Sequence, residues 1–229
     1  MRILTGLVLA LVLVCVLVFP LAAQAAPADA TIQGPNYSLF VPGALKASDK
    51  RPLVMVFSPN GDTRQLVQIW RPHAAKYKWF VLGFNGFRNG QDATPMVADL
   101  RAILKELQSA YPIDGRCLIA TGFSGGGMFS HDMSALEPQA VVAIVVNTGM
   151  SHPQSRLPAP RNRVAVFLAS PSDFRYQEMK ADEKRLKALG WETKWIEFQG
   201  GHTIAPPAAY KEAADWLAGM VNWARSRKP

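Results

Sequence analysis

The chain has 229 residues, 49% of them hydrophobic and 18% charged, which is enough for one sizeable core and short for two. Its formal net charge of +8 comes from scattered Lys and Arg residues, and only Arg225 to Lys228 form a local cluster. Because the charge forms no patch, we expect no nucleic-acid partner and interpret it as a solvated surface or a loose attraction to anionic envelope material.

The N-terminal segment is typical of an export signal. Arg2 precedes an almost uninterrupted apolar run over residues 3–23, followed by Ala23-Gln24-Ala25, in which small residues flank a larger one as signal peptidase requires. We therefore predict a signal peptide over 1–25, cleaved near Ala25, and a mature domain over 26–229 in the periplasm or outside the cell, with no membrane span. The alternative is an uncleaved anchor, since about 20 apolar residues can also cross a bilayer.

The two cysteines do not predict a disulfide. Cys15 lies within the signal segment, where the branched Val14 does not fit the small residue that a lipoprotein signal needs. After cleavage only Cys117 is left, so no intramolecular disulfide can form. Cys117 lies in an apolar run, which favours a buried small hydrophobic residue over a reactive thiol.

Short apolar runs alternate with amphipathic segments along the mature chain. This order builds a mostly parallel sheet with helices on both faces, the α/β fold class, and several runs are apolar at consecutive positions as central parallel strands are. We therefore predict a single domain of this class. The predicted strands cover residues 37–41, 53–57, 80–84, 117–122, 141–146, 164–169 and 193–198.

Three helices are predicted after the third, sixth and seventh of these strands. Thr94-Pro95 provides an N-cap followed by proline at the first helical position, and apolar residues then recur at helical spacing over 96–107. A second helix is predicted over 177–189, with Gly190 placed to terminate it. A third begins near Pro207.

Residues 122–126 read Gly-Phe-Ser-Gly-Gly, directly after a predicted strand and before residues that can open a helix. This is the context of a nucleophile elbow, in which a serine with strained backbone needs small neighbours. The serine is then exposed at a helix N-terminus, which favours developing negative charge. A G-x-S-x-G match alone often occurs by chance, and the preceding strand makes this one more specific. Phosphate binding by the same glycines would require a following Lys-Ser or Lys-Thr, which is absent here. Ser124 is the predicted nucleophile.

A serine hydroxyl needs a base, and four histidines are available. His73 and His131 lie in predicted helices, where a structural role is the commoner one. His152 follows the strand that ends near residue 146 and is an outside candidate. His202 is better placed, because Gly200-Gly201-His202 lies between the last strand and the last helix, at the carboxyl edge of the sheet.

The acid that orients the base should follow the preceding strand, and Asp173 lies just beyond the strand over 164–169. Asp182 and Glu183 lie further on among lysines, a pattern typical of a solvated helix face. Asp173 is therefore the predicted acid. The chain order Ser124, Asp173, His202 is that of α/β-hydrolases and differs from the orders of chymotrypsin and subtilisin.

An oxyanion hole needs two convergent N–H donors. One is the N–H of Gly125, and the second should come from the loop after the strand over 53–57, which reads Ser58-Pro59-Asn60-Gly61-Asp62. Asn60 is the candidate for this second donor. An equal interpretation is that Asn60-Gly61 forms only a turn.

With these residues, the sequence resembles the α/β-hydrolase superfamily, and within it the small lidless esterases similar to polyhydroxybutyrate depolymerases and feruloyl esterases. The likeness covers nearly all of the mature chain and includes NYSLFVP at 36–42, YPID at 111–114 and FQGGHT at 198–203. It implies hydrolysis of a small-molecule or polymer-derived carboxylic ester through an acyl-enzyme, without metal or organic cofactor.

One departure concerns the oxyanion loop. Where that family usually has His-Gly, this chain has Ser58-Pro59, and proline supplies no N–H. Losing one such donor costs on the order of 3 kcal/mol of transition-state stabilisation, so a slow enzyme is compatible with this loop.

Two other functions stay open at this stage. One is a non-catalytic or weakly active binding protein on a hydrolase fold, and the other is an amidase or peptidase with the same triad. Apart from the proline-rich loop over 151–162, no segment is long enough for a large lid, so an open site is expected, of unknown substrate and oligomeric state. Aromatic residues in or beside the expected loops suggest an apolar or aromatic acyl site, although such residues more often simply pack: Phe84, Phe87, Phe123, Phe174 and Tyr176.

Overall fold

The computed structural model describes residues 29–152 and 163–226. The predicted signal segment and residues 153–162 of the proline-rich loop lie outside the described residues. Within the described part, eight strands form one sheet with five helices around it. No helix there is long and apolar enough to cross a membrane.

The elements alternate along the chain as a parallel α/β fold requires. The strands are β1 (Ala30–Gln33), β2 (Tyr37–Val41), β3 (Arg51–Phe57), β4 (Phe80–Phe84), β5 (Ile113–Phe123), β6 (Val141–Asn147), β7 (Val164–Ala169) and β8 (Glu192–Glu197). The helices are α1 (Arg64–Tyr77), α2 (Ala93–Ala110), α3 (Gly125–Leu136), α4 (Tyr176–Ala188) and α5 (Pro207–Ser226).

The sheet has the strand order β1-β2-β4-β3-β5-β6-β7-β8. Strands β3 to β8 run parallel, and β2 joins β4 and β1 by antiparallel pairing. The prediction of a mostly parallel sheet is confirmed, and all seven predicted strands are present. The sequence did not reveal β1, a short edge strand whose residues alternate between half-buried and exposed.

Two apolar layers hold the helices on the sheet. Side chains of β3 alternate between the faces: Leu53, Met55 and Phe57 belong to one layer, and Val54 and Val56 to the other. Helices α2, α3 and α4 cover the first layer, and α1 and α5 cover the second. Each such side chain contributes about 1.5–3 kcal/mol by leaving water, which explains why the central strands are apolar at consecutive positions.

The helix ends agree with the sequence except at one cap. Helix α2 begins at Ala93, and its N-cap is Asp92, whose carboxylate accepts the N–H of Thr94 at 2.9 Å. The prediction of Thr94 as N-cap was therefore wrong, because an aspartate two residues earlier satisfies the free N–H groups of the first turn. Helix α4 ends before Gly190, which has a φ of +85° as predicted for a terminating glycine.

Candidate active site

Ser124 lies in the sharp turn between β5 and α3. Its φ of +53° and ψ of −118° are rare for a residue with a side chain and cost on the order of 1–3 kcal/mol. The turn is held on both sides, since the Ser124 N–H donates to the carbonyl of Asn147 at 2.9 Å and the Ser124 carbonyl accepts from Met128 at 3.0 Å. The serine is thereby fixed at the carboxyl end of the sheet and the N-terminus of α3.

Close backbone contacts explain the glycines around Ser124. A methyl group on Gly126 would lie 2.3 Å from the carbonyl oxygen of Phe57, and one on Gly122 would lie 2.4 Å from the carbonyl carbon of Gly126. The turn therefore packs so tightly against β3 that no side chain fits at either position.

The hydroxyl of Ser124 is linked to an acid through one imidazole. Ser124 Oγ lies 2.9 Å from His202 Nε2, and His202 Nδ1 lies 2.8 Å from Asp173 Oδ2. The Asp173 side chain is 0% exposed and that of His202 is 27% exposed. Because a carboxylate only accepts, Nδ1 carries the proton and Nε2 accepts the serine hydroxyl, which is the arrangement for general-base activation of an alcohol.

The loops that carry the acid and the imidazole are tied to each other. Asp173 Oδ1 accepts the N–H of Arg175 at 2.7 Å, and the Asp173 N–H donates to the carbonyl of Ser170 at 2.9 Å. The hydroxyl of Ser170 accepts the N–H of Gly201, next to His202, at 2.9 Å. Ser170 therefore fixes the β8–α5 loop against the β7–α4 loop.

Asn147, at the end of β6, holds the other side of the histidine loop, and sequence reasoning missed it. Its Oδ1 accepts the N–H of Ala205 at 2.7 Å and the hydroxyl of Tyr210 at 3.0 Å, and its Nδ2 donates to the carbonyl of Thr203 at 3.2 Å. Burial raises the pKa of Tyr210, so this hydroxyl stays protonated and donates. The sequence signal that could have identified Asn147 is its position as a polar residue at the end of an otherwise apolar strand.

None of the three other histidines forms a hydrogen bond to Ser124 among the described residues. His131 is fully buried in α3, and burial lowers its pKa to about 4. His152 Nε2 lies 3.7 Å from Asp132 Oδ2, and His73 is on α1, where burial lowers its pKa. Across the described residues, no group of three or more His, Cys, Asp or Glu side chains is arranged to hold a metal ion.

Asp182 is buried, so the prediction that it lies on a solvated face was wrong. It accepts from the N–H and the hydroxyl of Ser151 at 2.5 and 2.6 Å, and Arg185 approaches it to 3.5 Å. Its neighbours in α4 are charged, but this one carboxylate faces the loop after β6. It therefore fixes the start of that loop and stands 4.0 Å from the imidazole of His131.

Asn60 forms a turn in the loop after β3, and its role as an oxyanion donor stays a prediction. Its side-chain oxygen accepts from Ser58 Oγ and from the N–H of Asp62, each at 2.9 Å, and its carbonyl accepts from Arg88 at 2.7 Å. These bonds make a turn. The backbone N–H of Asn60 donates to no described residue, so it is available to a ligand. Gly125 is the first residue of α3, where N–H groups lack partners within the helix.

Two aromatic side chains lie next to the imidazole of His202. The ring of Phe174 lies 4.5 Å from that of His202 and is 68% exposed, and the ring of Phe123 lies 5.2 Å from it. The other aromatic residues expected at the cleft pack elsewhere: Phe84 and Phe87 are buried in the core around Phe57, and Tyr176 packs on Trp195.

An apolar groove of about 600 Å³ lies beside the histidine loop, between α1 and the start of α5. Its apolar lining residues are Ile69, Pro72, Ile204, Ala205, Pro206, Pro207 and Ala208. Its polar lining residues are Gln65, Gln68, His73 and Lys211.

This strand order, with a strained serine after the fifth strand and a histidine after the eighth, defines the α/β-hydrolase fold. Among solved structures, a Bacillus cereus carboxylesterase is similar with a TM-score of 0.64 and 16% identity, over 80% of this chain and 93% of that one. FphF, a fluorophosphonate-binding serine hydrolase of Staphylococcus aureus, has a TM-score of 0.61 and 10% identity, over 87% and 99% of the two chains. One of two fungal esterases from Rhizomucor miehei has a TM-score of 0.61 and 13% identity, over 90% and 87%.

These likenesses confirm the fold that the sequence resemblance implied. No protein-family model matches the sequence, and a comparison with curated proteins found no match. At such low identities the structural neighbours establish the fold alone.

Proposed function

We propose that this protein is an exported serine hydrolase that cleaves carboxylic esters through an acyl-enzyme. The observation that carries the proposal is the pair of hydrogen bonds from Ser124 Oγ to His202 Nε2 at 2.9 Å and from His202 Nδ1 to Asp173 Oδ2 at 2.8 Å. The strained backbone of Ser124 and the esterases among the structural neighbours support the same class.

In the proposed acylation, Ser124 Oγ attacks the carbonyl carbon of the ester and its proton passes to His202 Nε2. The π electrons of the carbonyl move onto its oxygen, which becomes an oxyanion. Collapse of this intermediate breaks the bond to the alcohol oxygen, which takes the proton from His202 and leaves. Asp173 holds the imidazole in the required tautomer and stabilises its cationic form.

In deacylation, a water molecule repeats the attack on the acyl-enzyme. His202 takes a proton from the water, and a second oxyanion forms. When it collapses, the bond between the acyl carbon and Ser124 Oγ breaks, Ser124 recovers its proton from His202, and the carboxylic acid leaves.

The oxyanion in both steps is assigned to the backbone N–H groups of Gly125 and Asn60. Gly125 stands at the N-terminus of α3, where the helix dipole favours negative charge. The turn after β3 leaves the Asn60 N–H without a described partner. Pro59 contributes no donor, which is the reason to expect slow turnover.

For the substrate, we propose a small-molecule or polymer-derived ester with an apolar group on the side of His202. The exposed ring of Phe174 beside His202 favours such a group, and the groove beside the histidine loop adds mostly apolar lining. Water is the co-reactant of the proposed reaction.

The proposed location is the periplasm or the exterior of the cell, after cleavage near Ala25. Mass spectrometry of the protein recovered from the envelope and the medium tests this location. A soluble form that begins at Ala26 is expected, whereas a full-length form in the membrane fraction would show that the segment is an anchor.

Ester turnover by the purified protein tests the activity. Ser124→Ala and His202→Ala should abolish release of 4-nitrophenol from a short-chain 4-nitrophenyl ester, while His152→Ala, at the other histidine on this edge of the sheet, should retain it. Turnover that survives Ser124→Ala overturns the mechanism. An anilide of the same acyl group, assayed in parallel, separates esterase from amidase action, and a folded protein inactive on both supports the binding alternative.

A further inference from the structure

Asn89, in the loop between β4 and α2, places its carboxamide against Gly125. The three atoms nearest to a methyl group built on Gly125 all belong to Asn89, and the closest, Oδ1, would lie only 1.8 Å away. The carboxamide thus occupies the space that a side chain after the nucleophile would fill. It lies beside the residue whose N–H is assigned to the oxyanion.

The backbone around Asn89 is bonded to the loop after β3. The Asn89 N–H donates to the carbonyl of Pro59 at 2.9 Å, and the guanidinium of Arg88 donates to the carbonyl of Asn60 at 2.7 Å. These bonds join the Asn89 loop to the loop that carries the second proposed oxyanion donor. The position of the Asn89 side chain next to Gly125 is therefore set by the oxyanion loop itself.

The carboxamide of Asn89 is available for a ligand. Among the described residues it has no hydrogen-bond partner, and the residue is exposed. The two ends of a carboxamide have nearly the same shape, so a half-turn of the terminal bond brings Nδ2 to the place of Oδ1. In that orientation Nδ2 is a hydrogen-bond donor beside Gly125.

We propose that Asn89 Nδ2 donates a hydrogen bond to the oxyanion formed when Ser124 attacks the ester, and so offsets the donor that Pro59 lacks. This inference rests on the proposed function. Asn89 is then a catalytic residue whose hydrogen bond strengthens as charge develops on the carbonyl oxygen. Such an interaction lowers kcat when it is lost and leaves substrate binding nearly unchanged.

The test compares Asn89→Ala and Asn89→Asp with Gln91→Ala, which removes an exposed carboxamide from the same loop. Loss of one oxyanion donor lowers kcat by about 100-fold or more in the strongest cases, and we expect at least about tenfold for Asn89→Ala with KM within about twofold. Asn89→Asp keeps the shape but replaces the donor by a negative charge, so its kcat should be lower still. Gln91→Ala should match the wild type, and the exposed position predicts unchanged melting temperatures.

A second substitution links the effect to the contact seen in the structure. Gly125→Ala introduces the methyl group that displaces the Asn89 carboxamide, so it should lower kcat in the wild type and cause little further loss in Asn89→Ala. Binding of a trifluoromethyl ketone, which forms a tetrahedral adduct with an active serine, should weaken in parallel with kcat.

The outcomes separate the two proposals. If the wild type is active and the kcat values of Asn89→Ala and Asn89→Asp both lie within about twofold of its value, the role of Asn89 is overturned. The proposed function is then intact. A folded wild type without ester turnover and without Ser124 labelling by a fluorophosphonate overturns both. A matching loss in Gln91→Ala also overturns the role of Asn89, because it assigns the effect to the loop as a whole.

Discussion

The backbone carbonyl of Asn147 accepts the N–H of Ser124 at 2.9 Å, while the Asn147 side chain binds the segment that follows His202. One residue at the end of β6 therefore holds both the nucleophile turn and the histidine loop. Since Ser124 and His202 lie 78 residues apart in sequence, this shared anchor is a direct physical cause of the 2.9 Å distance between their side chains.

Asn147→Ala should lower both stability and turnover. The substitution leaves the N–H of Ala205 and the hydroxyl of Tyr210 buried without their acceptor, which costs about 2–4 kcal/mol of unfolding free energy. We also expect kcat to fall at least about tenfold, because the histidine loop loses its anchor. Urea unfolding and ester turnover measure the two effects. The control is Asn36→Ala, at an exposed asparagine. If the two variants have the same unfolding free energy and the same kcat, Asn147 does not position the histidine loop.

Gly126→Ala should be strongly destabilising, while Gly219→Ala should stabilise. The first adds a methyl group 2.3 Å from the backbone of Phe57, which forces β3 and α3 apart and costs about 3 kcal/mol. The second adds a methyl group to open space within α5 and gains about 0.5–1 kcal/mol of helix propensity. Thermal unfolding compares the two. A melting temperature of Gly126→Ala equal to that of the wild type would contradict the tight elbow.

His131 should make the protein less stable as the pH falls. Burial lowers its pKa to about 4 from the ordinary 6.5, so the unfolded chain binds a proton between these pH values that the folded protein does not. The contribution of the neutral imidazole to the unfolding free energy is therefore complete above pH 6.5 and is lost toward pH 4. This contribution is about 3 kcal/mol at most. Asp182 of α4 lies 4.0 Å from this imidazole, and the charges of Arg185 and His152 also act on its pKa.

Urea unfolding of the wild type and of His131→Gln at pH 7.5 and pH 4.5 measures this contribution. The fall in unfolding free energy between the two pH values should be smaller in His131→Gln by about 2–3 kcal/mol. The same fall in both proteins would mean that other groups cause the acid sensitivity.

Asp173→Asn should abolish most turnover while it preserves the fold. An amide at this position can donate to His202 Nδ1, which favours the wrong tautomer, and a comparable change lowers kcat about 10⁴-fold in serine proteases. Steady-state kinetics measure the loss of turnover, and circular dichroism checks the fold. Asp99→Asn, which changes a carboxylate on α2 in the same way, is the control. Turnover within about tenfold of the wild type would exclude Asp173 from the orienting role.

Local patterns were sufficient for much of the fold and for the placement of the three proposed catalytic residues at one edge of the sheet. Ser124 and Asp173 follow central strands that are apolar at consecutive positions, and His202 follows the edge strand β8. All three residues lie at the edge of the sheet where the parallel strands end. Their hydrogen-bonded arrangement thus depends on topology that the sequence pattern already reveals.

The residues that were missed act over long sequence distances. Asn147 binds Ala205 and Tyr210, 58 and 63 residues further on, and Asp182 binds Ser151, 31 residues before it. No local pattern marks such pairs. Strand β1 escaped detection because an edge strand with one face in water lacks the continuous apolar signal of its buried neighbours.

The most direct test of the central claim is reaction of the purified protein with a fluorophosphonate, followed by mass mapping of the modified residue. The reagent phosphonylates a serine only when a base activates it, so the Ser124–His202 hydrogen bond predicts one label, on Ser124, absent from Ser124→Ala and from His202→Ala. A folded protein that takes up no label, or takes it up at another residue, would contradict the assignment of Ser124 as an activated nucleophile.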